Sequence, residues 1–463
     1  MKNARLGDVV ETMKNGLYKP ASEYGDDGIP CLRMYNIDAG RIIWRDIKRM
    51  RVTKNELADY GLCEGDLLAN RVNSRELVGK TAVVSPGMEP SVFESKNIRV
   101  RLNKDRVRPK FINYQLLATG RRYFAGNAQQ VVGMASISQK QLADFPIVLA
   151  DLDQQDRIVA EIEKQFSRLD EAVANLKRVK ANLKRYKVAV LKAAVEGRLV
   201  PTEAELARKE RRTYETGEQL LARILQERRS TGEKQNTGKR KKKYIDPQPS
   251  GTSGMPELSE GWTWTNVGML LREPILNGLS IKGSQSPPGL AALKLDAMTE
   301  AGFDYSKVRF LPIAIEDVED ITVQEDDFFI SRGNGSLSLV GRGTTAQTPP
   351  FPVIFPDTMM RLRFNNMVRE TKWLNTIWLG RAIRTQIERR AKTTAGIYKI
   401  SQPQVESIAI PLPPPAEQQR IVAEIERLLS ITGKLEAQLD ADLRHAESLR
   451  QSILAKAFCQ TEG

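Results

Sequence analysis

Apolar residues recur every seven positions in two long stretches of the chain. In the first stretch the row consists of Ile162, Leu169, Leu176, Leu183 and Val190. In the second, one row consists of Ile421, Leu428, Leu435 and Leu449, and a neighbouring row of Ile425, Leu439 and Ile453. Thr432 and Asp442 interrupt these rows. A seven-residue repeat with a charged outer face predicts a coiled-coil helix in each stretch.

Each predicted helix needs a partner for its apolar row. The simplest partner is the other helix of the same chain, because both have the same length and period. If a two-fold axis perpendicular to the helices relates them, they run antiparallel. A helix of about 40 residues, at 1.5 Å per residue, is a rod of roughly 60 Å. The alternative is that each helix packs only on its own globular domain.

Short β-rich runs separated by Gly, Pro and Asn turn signals precede each helix. In the first domain we predict strands at 29–37, 67–71, 81–85 and 98–102, with a helix at 110–118. In the second we predict strands at 262–267, 328–332, 353–355 and 360–364, with a longer helix at 370–390. The pattern therefore predicts mixed α/β domains at 1–150 and 256–413, followed by long helices at 151–200 and 414–463. Between them, 201–255 is predicted to be a weak helical segment that continues into a basic flexible linker from residue 230.

The chain contains an internal repeat. Residues 137–163 align with 400–426 without a gap, and 14 of the 27 positions are identical. Shorter matches upstream, such as Leu77-Val78-Gly79 with Leu339-Val340-Gly341, keep an offset of 261–263 residues. The predicted fold class is therefore α+β: two mixed domains, each followed by a long helix, with an antiparallel coiled coil and pseudo-two-fold symmetry.

Charge is distributed unevenly along the chain. The net charge is +14, of which +8 lies in residues 1–150, while residues 256–413 are neutral. Residues 228–243 carry eight positive charges and one negative charge. This distribution predicts a polyanionic partner, although the basic linker segment 239–243 has two interpretations, as a phosphate contact or as a solvated linker.

Catalytic motifs are weak or missing. The single histidine, His445, lies in the second predicted helix and cannot serve two copies of a site. The three cysteines have no metal-like spacing. Gly79-Lys80-Thr81 resembles the end of a phosphate-binding loop, but the first glycine of that motif would fall at Ser74. Thr348-Pro-Pro-Phe351 resembles an adenine-methyltransferase motif but has threonine where an amide or carboxylate is needed. We therefore predict a non-catalytic chain with no metal or cofactor of its own.

No apolar run approaches 18 residues and no signal-peptide pattern is present. These features predict a soluble, cytoplasmic protein with no membrane contact.

The start of the second long helix carries the most specific motif. The motif is Ile408-x-Ile-Pro-Leu-Pro-Pro-Pro-x-Glu-Gln-Gln-Arg-Ile-Val422, and a looser copy of it runs from Phe145 to Val159. The second domain begins with Gly261-Trp262. Together with the duplicated layout, these residues resemble the specificity subunit of type I restriction-modification enzymes. The resemblance covers nearly the whole chain, and it is strongest in the helices.

This resemblance implies that each globular unit is a target recognition domain reading one half of a bipartite, asymmetric sequence in double-stranded DNA. The helices would set the gap between the halves and dock two modification subunits, which use S-adenosylmethionine. Restriction subunits, which use ATP and Mg, would join that core. Two alternatives stay open: a DNA-binding adaptor, or a protein-binding scaffold, with a coiled-coil ruler but no methyltransferase partner.

The candidate DNA-binding residues are polar or aromatic and lie in turn-rich segments. They are Tyr18, Lys19, Tyr35, Asn36, Arg71, Asn73, Ser74 and Lys80 in the first unit, and Ser280, Lys282, Arg332, Asn334, Ser336 and Arg342 in the second. Arg suits guanine edges, and Asn suits adenine edges. The alternative for the shared Arg-x-Asn pair is a structural turn or a phosphate contact, because the two units should read different sequences.

Overall fold

A computed structural model describes residues 2–131, 133–235, 255–299, 302–370, 372–378, 380–394 and 396–458. The basic segment 239–243 and most of the predicted linker lie outside these residues. Contacts divide the chain into two compact units. Unit one comprises Met1–Val179 and Gln438–Gly463, and unit two comprises Lys180–Ala437. Each long helix therefore contributes one part to each unit.

Unit one consists of short strands and four short helices before the first long helix. Its strands are β1 (Lys2–Arg5), β2 (Val10–Asn15), β3 (Tyr24–Gly25), β4 (Ile29–Leu32), β5 (Ile37–Asp38), β6 (Arg41–Ile42), β7 (Lys48–Met50), β8 (Leu67–Asn70), β9 (Val72–Asn73), β10 (Thr81–Val83), β11 (Val92–Phe93), β12 (Asn97–Leu102), β13 (Gln129–Val131), β14 (Met134–Ser136) and β15 (Pro146–Leu149). Its helices are α1 (Lys54–Tyr60), α2 (Pro109–Gln115), α3 (Arg121–Asn127) and α4 (Gln139–Ala143), followed by α5 (Leu152–Val195), which continues into unit two.

Two four-stranded sheets form the body of unit one. Their orders are β10-β8-β12-β2, which is antiparallel, and β11-β4-β7-β3, in which β11 and β4 are parallel. Every residue of β8 is buried, because this strand lies inside its sheet and both of its faces are covered. The predicted strand at 29–37 ends at Leu32 and is followed by a 3-10 helix, Met34–Asn36. The predicted helix at 110–118 begins at Pro109 and passes through a π-helical turn into α3.

Unit two repeats this arrangement after two additional helices. Its helices are α6 (Glu203–Glu210), α7 (Gly217–Gln235), α8 (Val267–Leu270), α9 (Asn366–Arg369), α10 (Trp373–Ile377), α11 (Arg381–Arg390), α12 (Gln402–Glu406) and the first part of α13 (Pro415–Phe458). Its strands are β16 (Thr263–Asn266), β17 (Leu276–Asn277), β18 (Leu290–Leu293), β19 (Met298–Thr299), β20 (Gly302–Phe303), β21 (Val308–Leu311), β22 (Phe328–Ser331), β23 (Gly333–Asn334), β24 (Gly343–Thr345), β25 (Val353–Ile354), β26 (Met359–Leu362), β27 (Lys392–Thr394), β28 (Ile397–Lys399) and β29 (Ala409–Leu412).

The sheets of unit two correspond to those of unit one, except that β3 has no counterpart. The order β17-β26-β22-β24 matches β2-β12-β8-β10, and β21-β18-β25 matches β7-β4-β11. A strand pair at the start of the long helix is also repeated, because Lys2 pairs with Leu149 in unit one and Thr263 pairs with Leu412 in unit two. The structure thus has two copies of one mixed α/β framework.

Two predictions of local structure in unit two need correction. The predicted helix at 370–390 is broken, because Lys372 adopts a left-handed conformation (φ 55°) and the backbone of Gly380 is extended. Between these breaks, the buried indoles of Trp373 and Trp378 donate to the carbonyls of Pro411 and Gly341. The predicted linker also starts too early, since α7 continues through residues 230–235.

The additional helices α6 and α7 belong to the body of unit two. Leu220 and Ile224 of α7 are fully buried in its main core. Glu203, at the start of α6, is buried and forms ion pairs with Arg212 at 2.5 Å and with Arg420 at 2.6 Å. Burial raises the pKa of Glu203, but the two guanidinium groups outweigh it and hold the pKa below its ordinary value. The segment is therefore docked by both apolar and ionic contacts.

The long helices α5 and α13 pack antiparallel within each unit. In unit one, Asp170 pairs with Arg450, and the core that contains Ile162 and Phe166 also contains Leu454. In unit two, Lys187 pairs with Glu436 at 2.6 Å, and Val190 shares a core with Ile421. In both units, residues with higher numbers on α5 contact residues with lower numbers on α13. This is the pattern predicted for an antiparallel pair.

One seven-residue row on each helix forms the seam, and the internal repeat relates the two rows. On α5 it consists of Gln155, Ile162, Leu169, Leu176, Leu183 and Val190; on α13 it consists of Gln418, Ile425, Thr432, Leu439, Ala446 and Ile453. Each pair of corresponding positions is 263 residues apart. Leu176, Leu183 and Ile453 are half-buried, and the other residues of the rows are buried.

The neighbouring row on α13 is only partly a seam. Ile421 is buried and Leu428 is half-buried, but Leu435 is 48% exposed and Leu449 is 42% exposed. The seam assignment of Leu435 therefore needs correction. Thr432 occupies a buried seam position instead of interrupting the row, and its hydroxyl donates to the carbonyls of Leu428 and Leu429 at 3.0 Å.

In the part of the chain that the structure describes, no helix is both long enough and apolar enough to cross a membrane.

Candidate nucleic-acid interface

A tight hairpin in unit one presents two exposed aromatic side chains. It is formed by β5 and β6, with Ala39 and Gly40 at positive φ between them. Tyr35, just before the hairpin, is 69% exposed, and Trp44, just after it, is 46% exposed. Tyr and Trp side chains are enriched at binding interfaces, because they combine a large apolar ring with a polar group. We call residues 33–46 the aromatic hairpin.

Asn36 holds the aromatic hairpin together and does not face solvent. Its amide nitrogen donates to the carbonyls of Ile43 (3.2 Å) and Arg45 (2.9 Å), and its amide oxygen accepts from the backbone of Arg33. The side chain is 1% exposed. The structure therefore gives Asn36 a positioning role within the hairpin and leaves no exposed amide for a base edge.

Sequence reasoning missed two residues of this hairpin, Trp44 and Arg33. The Arg33 guanidinium lies 5.6 Å from the centroid of the Tyr35 ring and donates to the carbonyl of Asp46 at 3.0 Å. An arginine held over an aromatic ring is one of the arrangements on which bases stack. The available signal was the sequence Ile43-Trp44-Arg45, a tryptophan next to a cation in a turn-rich segment.

Tyr18 and Lys19 are adjacent in sequence but differ in environment. Tyr18 is 85% exposed, the largest exposure of any large apolar or aromatic side chain in the described residues. The Lys19 ammonium donates to the Arg51 carbonyl at 2.7 Å and pairs with Glu56 at 2.9 Å. The backbone N–H of Thr53, together with Lys19, lowers the pKa of Glu56 below its ordinary value. Lys19 therefore braces the fold, and Tyr18 is the residue of this pair that faces outward.

The Arg-x-Asn segment of unit one is largely architectural. Asn73 is buried and donates to the Asn70 amide oxygen at 2.8 Å; Asn70 donates to Asn97 at 3.0 Å, and Asn97 donates to the Leu32 carbonyl at 3.2 Å. The structure therefore supports the structural alternative for Asn73.

The other candidates in this segment of unit one have more open environments. Arg71 is half-buried, and Ser74 is exposed. Lys80 lies 3.3 Å from Asp38 of the aromatic hairpin.

Unit two brings two of its six candidates, Asn334 and Arg342, together around one cavity. The cavity measures about 450 Å³, and its lining includes Asp296, Ser331, Asn334, Leu339 and Arg342. It therefore combines a carboxylate, a hydroxyl, an amide and a guanidinium with one exposed leucine. These are the groups that read base edges in DNA grooves. Asp296 was not predicted. It lies in the loop of unit two that corresponds to the aromatic hairpin of unit one, and this correspondence is visible only in the structure.

The remaining candidates of unit two lie outside that lining. The guanidinium of Arg332 donates to the Asp357 carbonyl at 3.4 Å. Ser336 is exposed, and its backbone N–H donates to the Asn334 side chain at 3.1 Å. Ser280 and Lys282 are exposed on the segment after β17.

A second cleft, of about 510 Å³, lies in unit one against α5. Its walls contain the ion pairs Arg108–Asp156 at 2.9 Å and Lys110–Glu163 at 2.5 Å. It is separate from the candidate DNA-binding residues, except for the tip of the aromatic hairpin at Gly40 and Arg41. Among the described residues, no group of three or more His, Cys, Asp or Glu side chains could hold a metal ion.

Comparisons with known proteins agree on one kind of protein. Residues 310–445 match the family model described as the type I restriction modification DNA specificity domain. The chain is 24% identical over 441 residues to the type I restriction enzyme StySPI specificity subunit of Salmonella potsdam, covering 94% of this chain and 82% of the relative. It is 30% identical over 183 residues to the EcoKI specificity subunit of Escherichia coli (strain K12), a match that covers 39% of each protein.

The fold is shared with solved structures over nearly the full length. A chain from a type I R-M system, in a study of complex assembly and conformational transition, superposes with a TM-score of 0.63 at 16% identity, covering 99% of this chain and 97% of the other. The HsdS subunit from Thermoanaerobacter tengcongensis superposes with a TM-score of 0.51 at 16% identity, covering 99% of this chain and 96% of that one.

The duplicated framework and the paired long helices are the fold that this chain shares with those solved structures. The family model, the curated relatives and the solved structures all indicate a specificity subunit of a type I restriction-modification enzyme.

Proposed function

We propose that this chain reads a bipartite, asymmetric sequence in double-stranded DNA, one half-site per unit, and that it carries no catalytic activity itself. The observation that carries the proposal is that one framework is repeated with different outward chemistry. Unit one offers the aromatic hairpin with Tyr35 and Trp44, whereas unit two offers the cavity lined by Asp296, Asn334 and Arg342. Different side chains on a common scaffold are what reading two different sequences requires.

The charge distribution supports a different balance of contacts in the two globular domains. The domain at 1–150 has a net charge of +8, so phosphate attraction contributes more to its binding. The domain of unit two is neutral, so its affinity depends more on direct contacts to bases. In this proposal, loss of a single polar residue around the cavity changes sequence preference more than loss of one unit-one cation does.

The helices offer matched apolar positions for partner subunits. Tyr186 on α5 and Leu449 on α13 are 44% and 42% exposed, and the internal repeat places them 263 residues apart. Each directly precedes a residue of an interhelix ion pair, Lys187 in unit two and Arg450 in unit one. Exposed apolar side chains at corresponding positions suit the docking of two identical modification subunits.

The chemistry of the complex is assigned to its partners. In this proposal the modification subunits bind S-adenosylmethionine and methylate adenine, and the restriction subunits use ATP and Mg. The complex acts in the cytoplasm, where its DNA substrate lies. This chain contributes recognition and spacing, because its sequence has no methyl-donor loop and no complete adenine motif.

The test is to change the length of the two helices together. One heptad inserted after Leu176 and another after Leu439 fall at corresponding positions of the repeat and keep both seams in phase. They lengthen the helix pair by roughly 10 Å, or about three base pairs. The readout is the methylome of cells that express the altered chain with its modification subunits. We expect the same two half-sites separated by a longer gap.

A matched control inserts five residues at the same two places. At 100° per residue, this turns each following row by roughly 140° away from the seam. We expect this control to lose methylation and assembly. Unchanged half-sites at an unchanged gap in the heptad variant would refute the ruler. No methylation by the wild-type complex at any bipartite site would refute DNA recognition and favour the scaffold alternative.

A further inference from the structure

Two loops at corresponding positions in the two units expose the same side chain. In unit one, residues 74–80 contain Leu77, and in unit two, residues 336–342 contain Leu339; each leucine is 39% exposed. We call these segments the twin loops. They are where the sequence Leu-Val-Gly occurs in both copies, followed by Lys80 in one and Arg342 in the other.

Each twin loop is held rigidly by contacts on its inner side. The valine after the leucine is buried, with Val78 2% and Val340 0% exposed. The glycine that follows has a positive φ, 81° at Gly79 and 68° at Gly341. A β-carbon at Gly79 would lie 2.2 Å from the Phe124 side chain. The leucine is therefore presented by a fixed backbone.

The backbone hydrogen bonds of the twin loops also correspond. The N–H of Gly79 donates to the Asn70 carbonyl and that of Gly341 donates to the Ser331 carbonyl, both at 2.8 Å. An arginine ties each loop to a neighbouring helix: Arg75 of the first loop donates to the Ala125 carbonyl of α3, and Arg384 of α11 donates to the Leu337 carbonyl of the second loop at 2.6 Å. One conformation is thus built twice from different side chains.

The surroundings of both leucines suit a polyanion. Residues 71–80 contain three basic residues and one acidic residue, and residues 332–342 contain two basic residues and no acidic residue. Both segments therefore have a net charge of +2, with one carboxylate close by in each unit: Asp38 lies 3.3 Å from Lys80, and Asp296 lines the cavity that contains Arg342. Leu339 also lies on the wall of the cavity formed by Asn334 and Arg342.

We infer that Leu77 and Leu339 make a sequence-independent apolar contact to DNA, one in each half-site. The inference rests on the proposed function, because it assigns a role to residues of the same interface. The two units read different bases, so a side chain presented identically by both cannot carry their difference. Leucine is one of the apolar side chains that proteins insert between base steps or pack against the groove. The neighbouring cations hold the phosphates on either side.

The experiment uses the full chain co-purified with its modification subunits and the target duplex identified from the methylome. Leu77→Ser and Leu339→Ser are measured singly and together, with Leu77→Met and Leu339→Met as matched controls that keep an apolar side chain. Fluorescence anisotropy gives Kd on the target and on duplexes with single base changes. Each serine is expected to weaken target binding about tenfold, or roughly 1.4 kcal/mol. The methionine variants should bind within about twofold of wild type.

The pattern of the loss separates the possible roles of the leucines. Base preference at every position should be unchanged in the serine variants, and assembly without DNA should be intact by mass photometry. A changed preference at one position would mean that the leucine reads a base. Loss of assembly without DNA would mean that it binds a modification subunit. Unchanged affinity would mean that it touches neither. Each of these results overturns the inference.

Two further controls keep the result interpretable. If a serine variant fails to fold, Leu77→Gln and Leu339→Gln make the same comparison, because glutamine keeps the length of the side chain and removes its apolar character. A wild-type complex that binds target and scrambled duplex equally would refute the proposed function itself. A complex that discriminates normally but is indifferent to all six substitutions would refute only the twin-loop contact.

Discussion

The two units differ where each long helix begins. In unit one, α5 is capped locally, because the Asp151 side chain accepts from the backbone N–H of Gln154 at 2.8 Å, and Gln154 is exposed. In unit two, the residue of α13 that corresponds to Gln154 is Glu417, which is fully buried. Its carboxylate accepts from the indole of Trp262 at 2.9 Å and from the backbone N–H of Glu203 at 2.7 Å.

Immediately beside this difference the units are the same. The amide of Gln155 donates to the Ala150 carbonyl at 2.9 Å, and that of Gln418 donates to the Pro413 carbonyl at 2.8 Å. Both glutamines are buried at the first seam position of their helix. Repeated positions such as these therefore maintain the shared framework. Each unit caps the start of its long helix with different contacts. Unit two uses the additional segment 196–235, which reaches Glu417 through Glu203.

Removal of Glu417 should expose the largest difference between the units. Glu417→Ala leaves the Trp262 indole and the Glu203 N–H buried without an acceptor, so we expect a loss of about 3 kcal/mol in the free energy of unfolding. The matched variant is Gln154→Ala at the exposed corresponding position, with an expected change within about 0.5 kcal/mol. Urea denaturation of the two variants measures both. Equal losses would show that the two helix starts are not built differently.

The protonation of Glu417 acts in the direction opposite to that of Glu203. Burial raises the pKa of Glu417, so its contribution to stability is present at low pH and is lost as the pH rises through the raised value. The pKa of Glu203 is lowered overall, so its contribution is present at neutral pH and is lost as the pH falls. The alanine variant therefore isolates one of two opposing pH responses.

The twin-loop glycines test what the units share. Gly79→Ala and Gly341→Ala each place a β-carbon at positive φ and against a buried side chain, Phe124 or Ile387. We expect each to cost about 2–3 kcal/mol, part from the backbone strain and part from the clash. Gly87→Ala is the control, because Gly87 also has a positive φ (69°) but open space around it, and about 1 kcal/mol is expected there. A cost at Gly79 no larger than at Gly87, measured by thermal unfolding, would mean that the loop is not locked.

The exposed helix positions should give the smallest effect on the fold. Tyr186→Ser and Leu449→Ser lie outside the seam, so the stability of the free chain should change by less than about 0.5 kcal/mol. Binding of a modification subunit should weaken about tenfold in each, roughly 1.4 kcal/mol, with one subunit lost per variant. Native mass spectrometry reads the stoichiometry. The control Lys177→Ser, on the exposed side of α5, should leave assembly unchanged. Full occupancy in both serine variants would remove these positions from the docking surface.

Periodic features of this protein could be predicted from the sequence, and single contacts could not. The internal repeat and the antiparallel helices are periodic over tens of residues, so many positions support the same conclusion. The position of Leu435 was wrong because two adjacent seven-residue rows have the same period, and only packing decides which one faces the partner. The buried row includes Thr432 and Ala446, which a search for large apolar residues passes over.

The candidate DNA-binding residues show a different kind of limit. An asparagine amide suits an adenine edge and a backbone carbonyl equally well. Asn36 and Asn73 look like base-reading residues in the sequence, yet their amides are engaged inside unit one by carbonyls and by a neighbouring asparagine. Tyr35 is a candidate in the sequence because it lies in a turn-rich segment, whereas Asp296 reaches its cavity only through the fold of the chain between β18 and β22. The DNA contacts of all these residues remain predictions.

The burial pattern of α5 has a consequence for motion. From Asp170 to Ala189, no side chain of this helix is fully buried, although both of its ends are anchored in cores. Local opening there breaks fewer apolar contacts than opening at the ends does, so its free energy is lower. Amide hydrogens in the middle of the helix therefore exchange with solvent sooner than those near Ile162 or Val190. The helix that would set the spacing is then more stable near each of its ends than in its middle.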